Sequence, residues 1–215
     1  MSFLGIFSSS EISKIEEELA LLKQDKLLQD RARLEGYERQ FVNASDAQKL
    51  ALLHPIVKVM VRRTLIQGKL AGLKFGIHTG GRLFSVQDVL YHQGRTFENG
   101  AWVITDRDLV VTNAPAGLSW HQYFVAVDFV MDGDDKPGYQ WTWNNKIDAD
   151  KDGKNDWTEL GKIAESNGLT WGGRWKYPIP IDTPHVEYHS GIDKVQDALV
   201  IYKESGLSAV WQKIV

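Results

Sequence analysis

No cysteine occurs anywhere in the 215-residue chain. Disulfides and thiolate metal sites are thereby excluded, so any metal must be held by His, Asp and Glu. The same absence lets the protein work equally well in reducing and oxidising surroundings. Long apolar runs are missing too: no window approaches the roughly 18 residues of a membrane-spanning helix. The opening run Met1-Ser-Phe-Leu-Gly-Ile-Phe-Ser8 has no basic residue and too short an apolar core for a signal peptide. Charge of one sign is likewise lacking. With 25 Lys and Arg against 28 Asp and Glu, the formal net charge is −3, which offers nucleic acid or an anionic membrane no electrostatic footing. There is no internal repeat and no low-complexity tract.

What is present is an ordinary globular composition, 43% hydrophobic, enough for one packed domain with appendages. Ser8-Ser-Ser-Glu11 fits a capping box. Ile12, Ile15, Leu19 and Leu22 then recur at coiled-coil-like spacing, so residues 1–48 are expected to form a helical extension that braces the domain, mediates self-association or targets the cell wall. Ser45-Asp-Ala-Gln48 signals a further helix start. Pro55 suits the first position of a helix reaching about Gln67, with Ile56, Val57, Met60, Val61 and Leu65 turned inward. Strands are expected at 73–79, 125–131, 139–143 and around His185, and helices at 85–93 and 157–166. Residues 95–118 read as loop with a short strand near Val103. Helical spacing of apolar residues from 192 to 214 predicts a tail, 191–215, that packs back on the core. Short strands mixed with separate helices indicate an α+β fold, a small antiparallel sheet with flanking helices, whose main domain spans 49–190.

Two stretches carry chemistry. In Ser119-Trp-His-Gln-Tyr-Phe-Val-Ala-Val-Asp128 a histidine precedes an aspartate by seven positions, and Asp182-Thr-Pro-His-Val-Glu187 places a histidine three residues after a carboxylate. Two neutral imidazoles with one carboxylate suit zinc, leaving a fourth position for water, and a further carboxylate nearby is the base such a water needs. Taken singly, each histidine is as well explained as a hydrogen-bonded core residue.

The surrounding words are more specific. Gly81-Arg82, Ser85-Val-Gln87, Leu90-Tyr-His-Gln-Gly-Arg-Thr96, Val111-Thr-Asn-Ala-Pro-Ala-Gly-Leu-Ser-Trp-His121, Ala126-Val-Asp128, Trp171-Gly-Gly-Arg-Trp175 and Asp182-Thr-Pro-His-Val-Glu187 occur in that order over roughly residues 50 to 189. Together they resemble the D-alanyl-D-alanine carboxypeptidase and L-alanyl-D-glutamate endopeptidase family of zinc metallopeptidases, many of which are phage endolysins. The resemblance implies zinc ligands at His121, Asp128 and His185, a catalytic acid/base at Asp182, and Arg82 beside the scissile carbonyl. Gly80 and Gly81 would let the chain turn sharply enough to aim Arg82. Gln87, Ser119, Glu187 and His189 are expected to steady the site or touch substrate, and Trp120, Trp171 and Trp175 to flank the cleft. His54, His78 and His92 are most simply structural. Two positions depart from the family pattern: relatives usually have glycine at Phe124, which suggests a locally different loop, and commonly an acidic residue at Arg174.

A second metal is suggested by residue pattern alone. Asp148, Asp150, Asp152, Asp156 and Glu159 occupy positions 1, 3, 5, 9 and 12 of a calcium loop, with Gly153 at 6 and the carbonyl of Lys154 at 7. A calcium ion there would order the segment and position the wall above the cleft.

The expectation is therefore a zinc endopeptidase acting on the stem peptide of bacterial peptidoglycan, made in the host cytoplasm without a signal peptide and reaching the wall after release. A D-Ala-D-Ala carboxypeptidase is the nearest rival, and a non-catalytic wall-binding protein a more distant one.

Overall fold

A computed structural model of the chain describes residue 36 and residues 43–133 and 141–215. The stripe from Ile12 to Leu22, and the self-association assigned to it, lie outside the described residues. Helix α1 (Asp46–Leu52) opens on a capping box in which Ser45 and Gln48 satisfy each other's backbone donors. Helix α2 (Pro55–Leu70) buries Val57, Val61 and Leu65. Strand β1 (Phe75–Thr79) and helix α3 (Phe84–His92) follow.

The stretch 95–118, expected as loop with a short strand near Val103, holds that strand as β3 (Ala101–Ile104), and it pairs in a hairpin with an unexpected β2 (Arg95–Glu98). Its turn is Asn99-Gly100, both at positive φ (50° and 85°). That dipeptide is a strong short-range hairpin signal, weakened here because the strands beside it are exposed and do not alternate.

Strand β4 (Ala126–Asp132) is the centre of the main sheet. It pairs antiparallel with β1 on one side and with β7 (His185–Glu187) on the other. Strand β6 (Thr170–Trp171) extends the sheet beyond β7, and β5 (Trp141–Thr142) pairs with the end of β4. Side chains alternate across a pleated sheet, so register decides what each face carries. Ile77 opposes Phe129, Val127 opposes Val186, and Val186 opposes Trp171. These form the apolar face, covered by α2 and by α4 (Asp156–Ser166), whose Trp157, Leu160 and Ala164 join the same core. On the other face Asp128 opposes His185, and Ala126 opposes Glu187. Every residue of β4 except Asp128 is buried.

The tail forms α5 (Val195–Lys213), bent at Gly206, where φ is 78°. Ala198, Val210 and the following Ile214 reach the core, and Trp211 Nε1 donates to the carbonyl of Tyr123 at 2.7 Å. Tyr123 itself is fully buried and donates its hydroxyl to Gly117 O at 2.8 Å. Burial, with a smaller contribution from Tyr202, pushes its phenol up to about 12. In the unfolded chain a tyrosine titrates near about 10. The unfolded state thus sheds its proton first, and this group's contribution to stability is complete below pH ~10 and lost as pH rises through about 12. Denaturant midpoints measured from pH 9 to 12 should fall more steeply for the wild type than for Tyr123→Phe. Parallel curves would remove the assignment.

Candidate metal centre and cleft

His121 is carried by a single 3₁₀ turn, Trp120–Tyr123. The turn ends at Phe124, whose backbone is left-handed (φ 59°, ψ 36°). The loop therefore keeps the conformation glycine favours, despite the phenylalanine. A non-glycine residue there costs on the order of 1–3 kcal/mol unless its surroundings hold it. They do: the Phe124 carbonyl accepts from His54 N at 3.0 Å, and the Phe124 ring lies over Gly81, where a Cβ would come within 2.4 Å of it. Gly81 is thus needed for room rather than for an unusual turn, since neither it nor Gly80 has positive φ.

The turn sets His121 against the polar face of the sheet. His121 Nε2 lies 3.2 Å from Asp128 Oδ1 and 3.2 Å from His185 Nδ1, and His185 Nδ1 lies 3.1 Å from the same Asp128 oxygen. Ligand atoms about 2.0–2.1 Å from a tetrahedral zinc are separated by roughly 3.3 Å. The triangle matches that edge length to within a few tenths of an ångström, and the three residues could hold one metal ion.

The electrostatics suit the same role. Burial lowers the pKa of His121, keeping it in the neutral form that binds metal. Burial works against ionised Asp128, yet His121 and His185 outweigh it and hold the carboxyl well below the usual range. Burial also opposes a charged His185, but its hydrogen bonds to Asp128 and Glu187 raise it to about 10. A metal taken up at His185 would have to displace a proton from the imidazole. Glu187 receives His185 Nε2 at 2.9 Å and His189 Nε2 at 3.3 Å. Those bonds overcome its burial and bring its pKa down to about 2. A carboxylate on the far nitrogen of a ligating histidine fixes ring orientation, which is the support expected of Glu187. His189 stacks on Trp120 with ring centroids 4.1 Å apart.

A cleft of about 540 Å³ opens over this triangle, lined among others by Arg82, Ser119, Trp120, Trp175 and Asp182. Burial, reinforced by the charge of Asp128, raises the pKa of Asp182. Arg82 Nη2 lies 3.6 Å from Asp128 Oδ2, and its Nη1 donates to Gln87 Oε1 at 2.9 Å. Gln87 is fully buried and donates in turn to Ala114 O at 2.6 Å, so one amide ties the arginine to the cleft wall.

One other expectation meets a different geometry, and two further features emerge only in the fold. Trp171 does not line the cleft: its register places it on the apolar face, 6% exposed, with Nε1 donating to Thr183 O at 2.8 Å behind the Asp182 loop. Arg174 turns outward to a two-pronged ion pair with Glu165, both contacts 2.9 Å. The apolar rim at Val111, Ile179 and Pro180 was not singled out from sequence, because nothing in these residue types marks a cleft until the loops converge. His54, His78 and His92 are not part of the triangle, although His78 feels the charges of Asp128 and Arg82; each lies against an aromatic ring (Trp211, Trp143 and Trp102).

The fold and this group define an α+β domain with an open-sided site for one metal ion, the architecture of a metal-dependent hydrolase. A family model described as D-alanyl-D-alanine carboxypeptidase matches residues 112–188. The peptidoglycan L-alanyl-D-glutamate endopeptidase CwlK of Bacillus subtilis (strain 168) is 36% identical over 135 residues, 63% of this chain and 72% of that protein. Among solved structures, the L-Ala D-Glu endopeptidase ChiX of Serratia marcescens aligns with a TM-score of 0.44 at 18% identity, covering 67% of this chain and 86% of its own. The LD-carboxypeptidase LdcB aligns with a TM-score of 0.45 at 15% identity, covering 76% and 70%. The chain belongs to this D-alanyl-D-alanine carboxypeptidase family and is a metallopeptidase.

Proposed function

We propose that the protein is a zinc endopeptidase that hydrolyses the L-Ala–D-Glu bond of the peptidoglycan stem peptide. The observation that carries the reading is the equilateral His121, Asp128 and His185 triangle beneath an open cleft bearing Asp182 and Arg82. Support for the substrate comes from the 36% identity to an endopeptidase of that specificity. Zinc held by the three would polarise the scissile carbonyl and acidify the attacking water. Asp182, as the carboxylate, would take a proton from the attacking water and hand it to the departing amine. Arg82, fixed by Gln87, offsets the charge that grows on the carbonyl oxygen. Glu187 holds His185 in place, and the stacked Trp120 and His189 form one side of the floor.

In this reading residues 49–190 are the catalytic unit, the first 48 residues target or pair the enzyme, and 191–215 brace it. The enzyme acts on the wall after release, as a phage endolysin does, and a calcium ion occupies the loop at 148–159. Among the described residues no helix is long and apolar enough to cross a membrane.

A D-Ala-D-Ala carboxypeptidase is the alternative favoured by the description of the matching family. Digestion of purified peptidoglycan, followed by mass spectrometry of the fragments, separates the two. New N-terminal D-Glu is expected, and free D-Ala without it would establish the alternative. Stripping zinc with a chelator should stop release of either product, and restoring zinc should return it. Full activity in the metal-free protein would defeat both readings.

A further inference from the structure

We propose that the loop from Asp148 to Glu159 takes up one calcium ion in exchange for the ammonium group of Lys154. The inference deepens the proposed reading, on whose calcium ion it rests, and its test is read out without peptidoglycan. One carboxylate oxygen each from Asp148, Asp150 and Asp156 lie within 4.8 Å of one another, and so do one each from Asp150, Asp152 and Glu159. Asp150 belongs to both groups, so the five carboxylates form two adjoining clusters that meet at Asp150.

Clustered acids on a surface loop prove nothing by themselves, but Asp156 is different. It is 0% exposed, one of its oxygens accepts from Ala149 N at 3.0 Å, and the other, Oδ1, is buried without a hydrogen-bond partner. Burial and the neighbouring Asp150 and Asp148 all disfavour its charge. A buried carboxylate oxygen with no donor is unfavourable unless a cation, or a water that a cation orients, sits against it. Asp156 is at position 9 of the loop, where calcium loops often bind through a water.

The only ammonium among these carboxylates in the described structure is that of Lys154. Its Nζ pairs with Asp152 and reaches Glu159 Oε1 at 3.3 Å, on a side chain 63% exposed. One positive charge thus stands where a divalent ion would meet both carboxylates. The remaining oxygens are already arranged: Asp148 accepts from Asp152 N and Gly153 N, each at 3.1 Å, and Asp152 Oδ1 from Lys154 N at 2.8 Å. A cage of hard oxygens with several carboxylates suits calcium better than magnesium, which keeps most of its waters. Lys154 would swing into solvent while its backbone carbonyl, at position 7, stays in the loop.

The test uses the full-length, zinc-loaded protein. Calorimetric titration with calcium should show one ion per chain beyond the zinc, and terbium bound in its place should luminesce on excitation of the adjacent Trp157. Glu159→Gln should weaken calcium binding roughly tenfold or more, as loss of a carboxylate ligand does. Lys154→Met keeps the position-7 carbonyl and should tighten binding about 2–5-fold, the worth of an exposed ion pair. No uptake at millimolar calcium by either the wild type or Lys154→Met would overturn the site. Binding unchanged in Glu159→Gln would do the same, and equal affinities for wild type and Lys154→Met would overturn the exchange. Calcium uptake in a protein that fails to cleave peptidoglycan would sink the enzymatic reading while leaving this one intact.

Discussion

Replacement of Asp182 by asparagine is expected to slow peptide-bond cleavage about 10²–10⁴-fold, the usual worth of a positioned general acid/base, while zinc stays bound at wild-type stoichiometry. Asparagine preserves the shape of the side chain and cannot take a proton. Asp182 lines the cleft without belonging to the triangle, so the metal should not notice the change. His121→Ala is the matching control: it removes one corner of the triangle and should lose metal and activity together. Metal content by elemental analysis and initial rates on purified peptidoglycan give both readouts. Asp182→Asn protein retaining more than a tenth of the wild-type rate would show that another group handles the proton. If it lost its zinc as well, Asp182 would be a ligand and the assignment of Asp128 would need revision.

Trp171→Ala should be the most damaging change outside the cleft, costing about 3–5 kcal/mol of stability, as full truncation of a buried tryptophan does. The ring fills the space above two glycines: a Cβ at Gly161 would come within 2.2 Å of it, and one at Gly173 equally close. It also holds the Asp182 loop from behind, through the Nε1 bond to Thr183 O, and the neighbouring Gly172 carbonyl accepts from Asp182 N at 3.1 Å. Trp171→Phe keeps most of the apolar volume and deletes the N–H. It should lose roughly 1–3 kcal/mol and reduce kcat more than zinc affinity, because the loop carrying Asp182 loosens while the triangle does not. Thermal unfolding and single-turnover rates on the two variants would check this. Unaltered kcat in Trp171→Phe would show that the loop is held by other contacts.

Much of the architecture could be read from local pattern because local physics decides it. Ser45 and Gln48 cap α1 through atoms three residues apart, and Pro55 starts α2 at the position where its missing N–H matters least. The alternating run from Val125 to Met131 reads as a buried strand, because its apolar and β-branched residues suit a pleated, packed surface. The Asn99-Gly100 hairpin was equally local and was passed over because its strands lack the alternation that normally draws attention to such a turn.

The chemistry divides along the same line. The family resemblance carried by ordered sequence motifs named the side chains that meet at the triangle, and residue pattern alone named the acidic positions of the loop at 148–159. Which face of the sheet each residue occupies was decided only by tertiary pairing. Register puts Asp128, His185 and Glu187 on the cleft side and sends Trp171, expected to line that cleft, into the core behind it. The left-handed Phe124, the outward turn of Arg174 and the orphaned oxygen of Asp156 were illegible for the same reason. Each depends on a neighbour distant in sequence or on burial in the packed fold: Gly81 under a ring, Glu165 across a turn, a wall of core around a carboxylate. No spacing along the chain encodes such contacts, because they exist only once the chain has closed on itself.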